Sequence, residues 1–289
     1  MRTGVLSDVH ANLPALQAAL TALRRRGVDR LLVAGDLVGY GGQPNECVTA
    51  LAEAGAQCVL GNHDLFVLDR LPPTRFPSYA RRSADVHRAL LSADVRSWLE
   101  SLPTTLRAGR VLMTHGSLDS PEEYIFRERR AQELLARLPV EAPGADVLVL
   151  GHTHQPWLVE AGRGTVPARR AGRPARTARL LNPGSVGQSR QRERRPVARF
   201  AVLDDATGAV EFLHADFDVA ASRAGLARHG LPDRCLHAPP ARWFPPALRV
   251  HRFLDRAALR LAPGPRGGTG TTAPAPTATV TGRTPGDAA

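Results

Sequence analysis

Five short stretches of this chain set acid–base or metal-liganding side chains among small residues: Ser7-Asp8-Val9-His10, Gly35-Asp36, Gly61-Asn62-His63-Asp64, His115-Gly116 and Gly151-His152-Thr153-His154. Carboxylate and amide oxygens combined with imidazole nitrogens suit divalent first-row metals. Two such ions about 3.5–4 Å apart need roughly this many ligands, with one carboxylate shared. Asp36, central in the array, is the natural bridge. Taken singly, each residue has an ordinary explanation, because Asp and Asn are favoured at strand ends and helix caps. A lone His115 would more often be a packed core histidine. The same placement at all five sites is what points to one pocket.

An alternation of strands and helices must bring these groups together. Apolar runs at Thr3–Leu6, Arg30–Ala34, Gln57–Leu60, Val111–Thr114 and Asp146–Leu150 each end at one of the five stretches, and Arg179–Leu181 and Phe200–Leu203 follow as further strands. Helical spacing covers 14–26, 45–54, 83–102 and 125–138, and Asn45 after Pro44 is a candidate cap. Asp204 to Gly208 reads as the turn of a hairpin ending near Phe217, with a helical piece from there to about Leu231. In an α/β protein with mostly parallel strands, loops of this kind gather at the carboxyl edge of the sheet, where ligands bind.

With 289 residues and 43% hydrophobic content, the chain can bury one sizeable core. The expected division is a catalytic domain over 1–235 with a basic insertion at about 161–179, a C-terminal extension over 236–261, and a Pro-, Gly-, Thr- and Ala-rich tail over 262–289 expected to be disordered. No run of about twenty apolar residues occurs and no charged leader precedes the first apolar segment, so the expectation is a cytoplasmic protein without a membrane partner. Cys47, Cys58 and Cys235 have no CxxC spacing and are assigned no role. The net charge is +11 and all 38 basic residues are arginine. Arginine crowds between Arg163 and Arg199, opposed there only by Glu193. Such a cluster can draw in phosphate or nucleic acid, although a solvated basic loop is the commoner outcome.

The five stretches resemble the motif blocks of the calcineurin-like metallophosphoesterase superfamily. Ser7-Asp8-Val9-His10-Ala11-Asn12-Leu13, the loop from Gly35 to Gly41, and Asn182-Pro183-Gly184-Ser185-Val186-Gly187 are similar to the small bacterial and archaeal phosphodiesterase branch that includes YfcE. The resemblance spans about residues 1 to 235 and implies a four-layer αββα sandwich. It implies that Asp8, His10, Asp36 and His154 hold one metal and that Asp36, Asn62, His115 and His152 hold a second. The ions implied are Mn²⁺ first, with Fe, Zn, Ni or Co as alternatives. His63, adjacent to Asn62 yet outside the ligand set, is the candidate general acid, and Asp64 is a candidate to orient it, with a helix-cap role as the competing reading. Asn12, Tyr40 and Gly116 are expected to contact substrate.

A hydroxide bridging two cations is nucleophilic near neutral pH and can attack phosphorus in line, with His63 protonating the departing alkoxide. The protein phosphatases of the superfamily carry an aspartate and an arginine where this chain has Gly39 and Tyr40. The expectation is therefore a hydrolase of small phosphodiesters or phosphomonoesters, nucleotides included. Two other readings stay open: a nuclease using the arginine-rich insertion, and a scaffold that kept the fold without catalysis. Asn182 to Ser185 is expected to shape the pocket floor.

Overall fold

The computed structural model describes residues 1–72, 76–172 and 177–239. Most of the extension expected over 236–261, and all of the tail expected over 262–289, lie outside the described residues.

The first sheet has the order β11-β10-β1-β2-β3. Its parallel part is β1 (Arg2–Leu6), β2 (Arg30–Val33) and β3 (Gln57–Cys58), and the antiparallel hairpin of β10 (Ala198–Asp204) and β11 (Val210–Ala215) adds to its β1 side. The second sheet has the order β4-β5-β6-β9-β7-β8. There β5 (Val111–Thr114), β6 (Val147–Val149) and β9 (Arg179–Asn182) run parallel, with β4 (Thr105–Ala108), β7 (Trp157–Glu160) and β8 (Gly164–Thr165) antiparallel at the flanks.

Side-chain alternation along these strands builds the layers. Leu6, Val33 and Phe200 face a core shared with α1 (Leu13–Arg25), α2 (Pro44–Glu53), α4 (Ser78–Leu90) and α5 (Ala93–Glu100). Their neighbours Val5, Leu32 and Ala201 face the opposite way, meeting Val111, Met113, Val149 and Leu181 between the sheets. On the outer face of the second sheet, Leu112, Leu148 and Leu180 pack on Leu134, Leu135 and Leu138 of α6 (Glu128–Glu141). Helix, sheet, sheet and helix make the four-layer αββα sandwich that the resemblance implied. The central strands β1, β5, β6 and β9 are buried on both faces, which is why they read as unbroken apolar runs. A short α3 (Asn62–Val67), α7 (Ala168–Ala171), α8 (Val219–Arg228) and a 3-10 turn at Asp233–Cys235 complete the described elements. Among the described residues, no helix is long and apolar enough to cross a membrane.

Three local expectations need correction. The single helix expected over 83–102 is two, because Ser92 breaks it and its hydroxyl accepts from the Val95 N–H to start α5. Asn45 caps nothing. It lies inside α2, where its amide accepts from the Ser92 N–H at 3.0 Å and donates to the Leu90 carbonyl at 2.8 Å, tying α2 to the α4–α5 break. Strands β4, β7 and β8 were not expected at all. They flank the second sheet, and β4 and β8 are short and partly exposed, without the continuous apolar run of the central strands.

The basic insertion hangs from β7 and leads into β9. Trp157 pairs with Asn182 beside the His152–His154 loop, whereas Glu160 pairs with Arg179 at the other end of the strands. The described part of the insertion therefore sits at the rim opposite the five motif loops. Ala171 of α7 is buried in the core between the sheets there.

Candidate functional site

The loops after β1, β2, β3, β5 and β6 converge on one rim. Backbone hydrogen bonds lace them together: the Asp8 N–H donates to the Gly35 carbonyl at 3.0 Å, His10 to Asp36 at 2.9 Å, and Gly151 to His115 at 2.8 Å. The convergence brings two donor sets into contact. One comprises Asp8, His10, Asp36 and His154, the other Asp36, His115 and His152; within each set the donor atoms lie within 4.8 Å of one another and could hold a metal ion. Asp36 belongs to both. Asn62 joins the second set, its Oδ1 lying 3.1 Å from His115 Nε2. All seven of these residues are buried.

Each side chain is fixed by one atom and leaves the other facing inward. Asp8 Oδ2 accepts from the Ser7 hydroxyl at 2.7 Å and the His152 N–H at 3.1 Å. Asp36 Oδ1 accepts from the His63 N–H at 2.8 Å. The remaining oxygens, Asp8 Oδ1 and Asp36 Oδ2, are buried with no hydrogen-bond partner. The histidines repeat the pattern with backbone carbonyls: Nδ1 of His10 lies 3.2 Å from Val38 O, Nδ1 of His115 2.7 Å from Ala34 O, Nδ1 of His154 2.7 Å from Gln188 O, and Nε2 of His152 3.1 Å from Glu122 O. A carbonyl accepts only, so the outer nitrogen carries the proton and the inner one offers a lone pair. Without a cation, the 3.2 Å approach of His10 Nε2 to His154 Nε2 would set two such lone pairs against each other. Orphaned carboxylate oxygens and facing imidazole lone pairs are the donor set that divalent cations satisfy.

The electrostatics agree for three of the four histidines. Burial drives His10, His152 and His154 well below the ordinary histidine range, keeping them neutral. Burial acts most strongly on Asp36, against its charge, but His115, 3.2 Å from Oδ2, together with His63 and His10 outweighs it and holds Asp36 well below the usual carboxylate range. In the same exchange burial pulls His115 down and Asp36 pushes it further up, to about 9, so without a cation this ring is protonated at neutral pH and its inner nitrogen offers a lone pair only when a cation displaces that proton. The rim is also strained. Asp8, His10, Asp36, His152 and His154 all have φ between 50° and 64°, a region that costs a non-glycine residue roughly 1–2 kcal/mol and that clusters at functional sites.

The glycines beside these residues serve mainly by close approach. A Cβ on Gly61 would lie 2.1 Å from Asp36 Oδ1, and one on Gly39, whose φ is +82°, would lie 2.6 Å from His63 Nδ1. The second contact explains the missing aspartate after Asp36: the His63 ring occupies the space a side chain at 39 would need. His63 Nδ1 is buried without a partner, and burial pushes the ring down to about 4. Asp64 does not orient it, a correction to the expectation above. Its oxygens accept from the Val38 N–H at 2.9 Å and the Gly61 N–H at 2.8 Å, which fixes the Asp36 loop to the start of α3, and burial raises its carboxyl to about 7.

The three residues expected to contact substrate are placed as follows. Asn12 is occupied in the fold: it caps α1 by accepting from the Ala15 N–H, donates to the Gly187 carbonyl and accepts from the Ser222 hydroxyl. Gly116 is buried beneath Ser120 and Pro121, which a Cβ would strike. Tyr40 lies on the site, its ring centroid 4.6 Å from that of His10 and 4.3 Å from that of His63. Asn182 to Ser185 brace the rim from below, with Asn182 donating to the Gly151 carbonyl at 2.5 Å and the Ser185 hydroxyl to the Asp8 carbonyl at 2.9 Å.

Residues 1–206 match the family model of the calcineurin-like phosphoesterase superfamily domain. The chain belongs to that superfamily. It is thus a phosphoester hydrolase of a metal-dependent family. Within the calcineurin-like group it is 28% identical over 236 residues to an uncharacterized protein of Methanocaldococcus jannaschii, covering 79% of this chain and 93% of that protein. It is 28% identical over 192 residues to phosphodiesterase YfcE of Escherichia coli, covering 63% of this chain and 88% of that enzyme. The crystal structure of a metallophosphoesterase from Sphaerobacter thermophilus superposes with a TM-score of 0.66 at 31% identity, covering 82% of this chain and 97% of that one.

Arg190, which meets Tyr124 beside the site, escaped the sequence reading because it disappears into the arginine run. Tyr124, stacked on His152, is among the aromatics Phe66, Phe76, Tyr79, Trp98, Tyr124 and Phe126 that the sequence offers between the metal blocks for a substrate wall, with packing as the default for each.

Proposed function

We propose that this calcineurin-like phosphoesterase is a dinuclear enzyme that hydrolyses small phosphodiesters, with Asp8, His10, Asp36 and His154 holding one ion and Asp36, Asn62, His115 and His152 the other. The observation that carries the reading is the pair of buried, unpartnered oxygens, Asp8 Oδ1 and Asp36 Oδ2, facing the inner nitrogens of the histidines. When bound, two divalent ions supply an activated water as nucleophile and positive charge against the phosphoryl oxygens. The chain does the positioning. Ser7, the His63 N–H and four backbone carbonyls hold the donors in one orientation, so little reorganisation remains on binding.

His63 is the general acid in this proposal. With Nδ1 against Gly39, Nε2 is the ring atom that can hand a proton to the departing alkoxide. The unliganded ring is neutral at pH 7, and the negative charge of a bound phosphoester favours its protonation. Preference for diesters is supported by the likeness to YfcE, named a phosphodiesterase, and by the absence of the phosphatase-type arginine at position 40. The described part of the insertion lies at the opposite rim, so it lends no support to a nuclease reading through that segment. The deciding experiment reconstitutes the protein with Mn²⁺ and assays phosphomonoesters, phosphodiesters, cyclic nucleotides and dinucleoside polyphosphates in parallel, with bound metal counted by elemental analysis. Turnover of diesters with about two ions per chain is expected; a single ion, or no turnover on any member of the panel, would overturn the proposal.

A further inference from the structure

Two groups at the mouth of the site have no task in the reaction above. Tyr124 is 46% exposed, and among the described residues no other aromatic side chain is as exposed. An exposed aromatic alone needs no explanation. This one is held in a particular place: its ring stacks on His152 with centroids 3.8 Å apart and planes at 29°, and it runs nearly parallel to Phe126, at 6°. The segment carrying it is braced. Gly116 lets Ser120 and Pro121 pack close, Ser117 Oγ accepts from the Asp119 and Ser120 N–H groups, Glu123 pairs with Arg130 of α6, and the Glu122 carbonyl holds His152.

Arg190 stands beside it. Its Nη1 is 3.4 Å from the Tyr124 hydroxyl and its Nε 3.1 Å from Gln188 Oε1. Both partners are neutral, so the half-buried guanidinium has no carboxylate to neutralise it in these contacts. Through Tyr124, which stacks on His152, it stands beside the metal-binding rim, and its charge acts on Tyr40, Asp8, His63, His152 and His154. A guanidinium of this kind matches the paired oxygens of a phosphate, and a rigid aromatic face next to it matches a planar base.

We propose that Tyr124 and Arg190 form a subsite for a nucleoside 5′-phosphate unit, the base lying against the exposed part of the Tyr124 ring and Arg190 taking a non-bridging phosphate oxygen. This rests on the phosphodiesterase reading of the same site and narrows it to nucleotide-bearing esters. It also supplies, from 150 residues further along the chain, the phosphate-gripping arginine that position 40 lacks.

The test uses two ligands that phosphoester hydrolysis cannot consume: the phosphonate analogue of adenosine 5′-monophosphate in which CH₂ replaces the ester oxygen, and the same ribose phosphonate without the base. Each is titrated calorimetrically into the full chain loaded with Mn²⁺. The base-bearing ligand is expected to bind about tenfold more tightly to the wild type, the lower range of a base–aromatic stack. Tyr124→Ala should bring the two affinities together, Tyr124→Phe should keep the ratio, and Arg190→Gln should weaken both ligands alike. Circular dichroism of each variant separates these effects from misfolding. Equal affinities in the wild type, a ratio untouched by Tyr124→Ala in a folded protein, or no binding of either ligand would overturn the subsite. Failure of the phosphodiesterase proposal is read separately, as absence of turnover of bis(p-nitrophenyl) phosphate by the same preparation.

Discussion

At the scale of single residues, the site depends on leaving selected atoms unsatisfied. One oxygen of Asp36 is pinned by the His63 N–H and the other is left without a partner. Asp36→Asn keeps the shape and removes the charge, so metal content should fall well below that of the wild type together with activity; a variant that binds metal normally yet is inactive would contradict the bridging role. His63→Gln should retain the metals and lose about 10²-fold or more in turnover of esters with poor leaving groups, with much less effect on a nitrophenyl ester that departs unprotonated. His87, in a supporting position, shows the opposite arrangement, with both ring nitrogens partnered. Buried in α4, it accepts from the Gly39 N–H at 2.9 Å on Nδ1 and donates to the Gly41 carbonyl at 2.7 Å from Nε2. Burial pushes it down to about 4 from an ordinary 6.5. The unfolded chain therefore takes up this proton first as pH falls, so the contribution is complete above about pH 6.5 and is lost progressively toward pH 4. It amounts to roughly 3 kcal/mol in all. Urea unfolding of His87→Gln at pH 7 and pH 4.5 should show a smaller loss between the two conditions than the wild type; an equal loss would assign the acid sensitivity elsewhere.

At the scale of elements, the central strands and the candidate site residues were legible because both leave marks on one-dimensional sequence. A strand buried on two faces is a continuous apolar run, and a tight loop that carries a ligand needs a small neighbour, as Gly35, Gly61 and Gly151 illustrate. What could not be read depends on distant partners. Strand β7 is a strand because β9 lies beside it. Asp64 could be the orienter of His63 or a cap until the Val38 and Gly61 N–H groups are seen to occupy it. Asn45 looked like a cap because its sequence neighbours suit one, yet its partners are Leu90 and Ser92. Asn45→Ala should cost about 1–2 kcal/mol by releasing two hydrogen bonds and should leave kcat/KM near the wild-type value. A loss of activity at unchanged melting temperature would mean that the α4–α5 break communicates with the site through His87.

At the scale of the whole molecule, the described part of the arginine-rich insertion and the candidate site occupy opposite rims. Glu160 meets Arg179 and Arg163 at the bottom, where Arg179 also donates to the Gly208 carbonyl at 2.8 Å, while Arg190 stands at the top. Replacing Arg163 and Arg170 together by glutamine should therefore change kcat/KM by less than about twofold at low salt and leave its ionic-strength dependence unaltered; a clear flattening of that dependence would show that the insertion does steer substrate. The division of the rim between two sheets has a further consequence, which concerns time. The first sheet contributes Asp8, His10, Asp36 and Asn62, and the second contributes His115, His152 and His154, with His10 and His154 in contact across 144 positions. A chain emerging from the ribosome can form β1, β2 and β3 and still hold only half of a coordination shell. Each of the two donor sets is complete only once the loop after β6 has been made and the two sheets have closed on each other, so full metal binding would report completion of the sandwich.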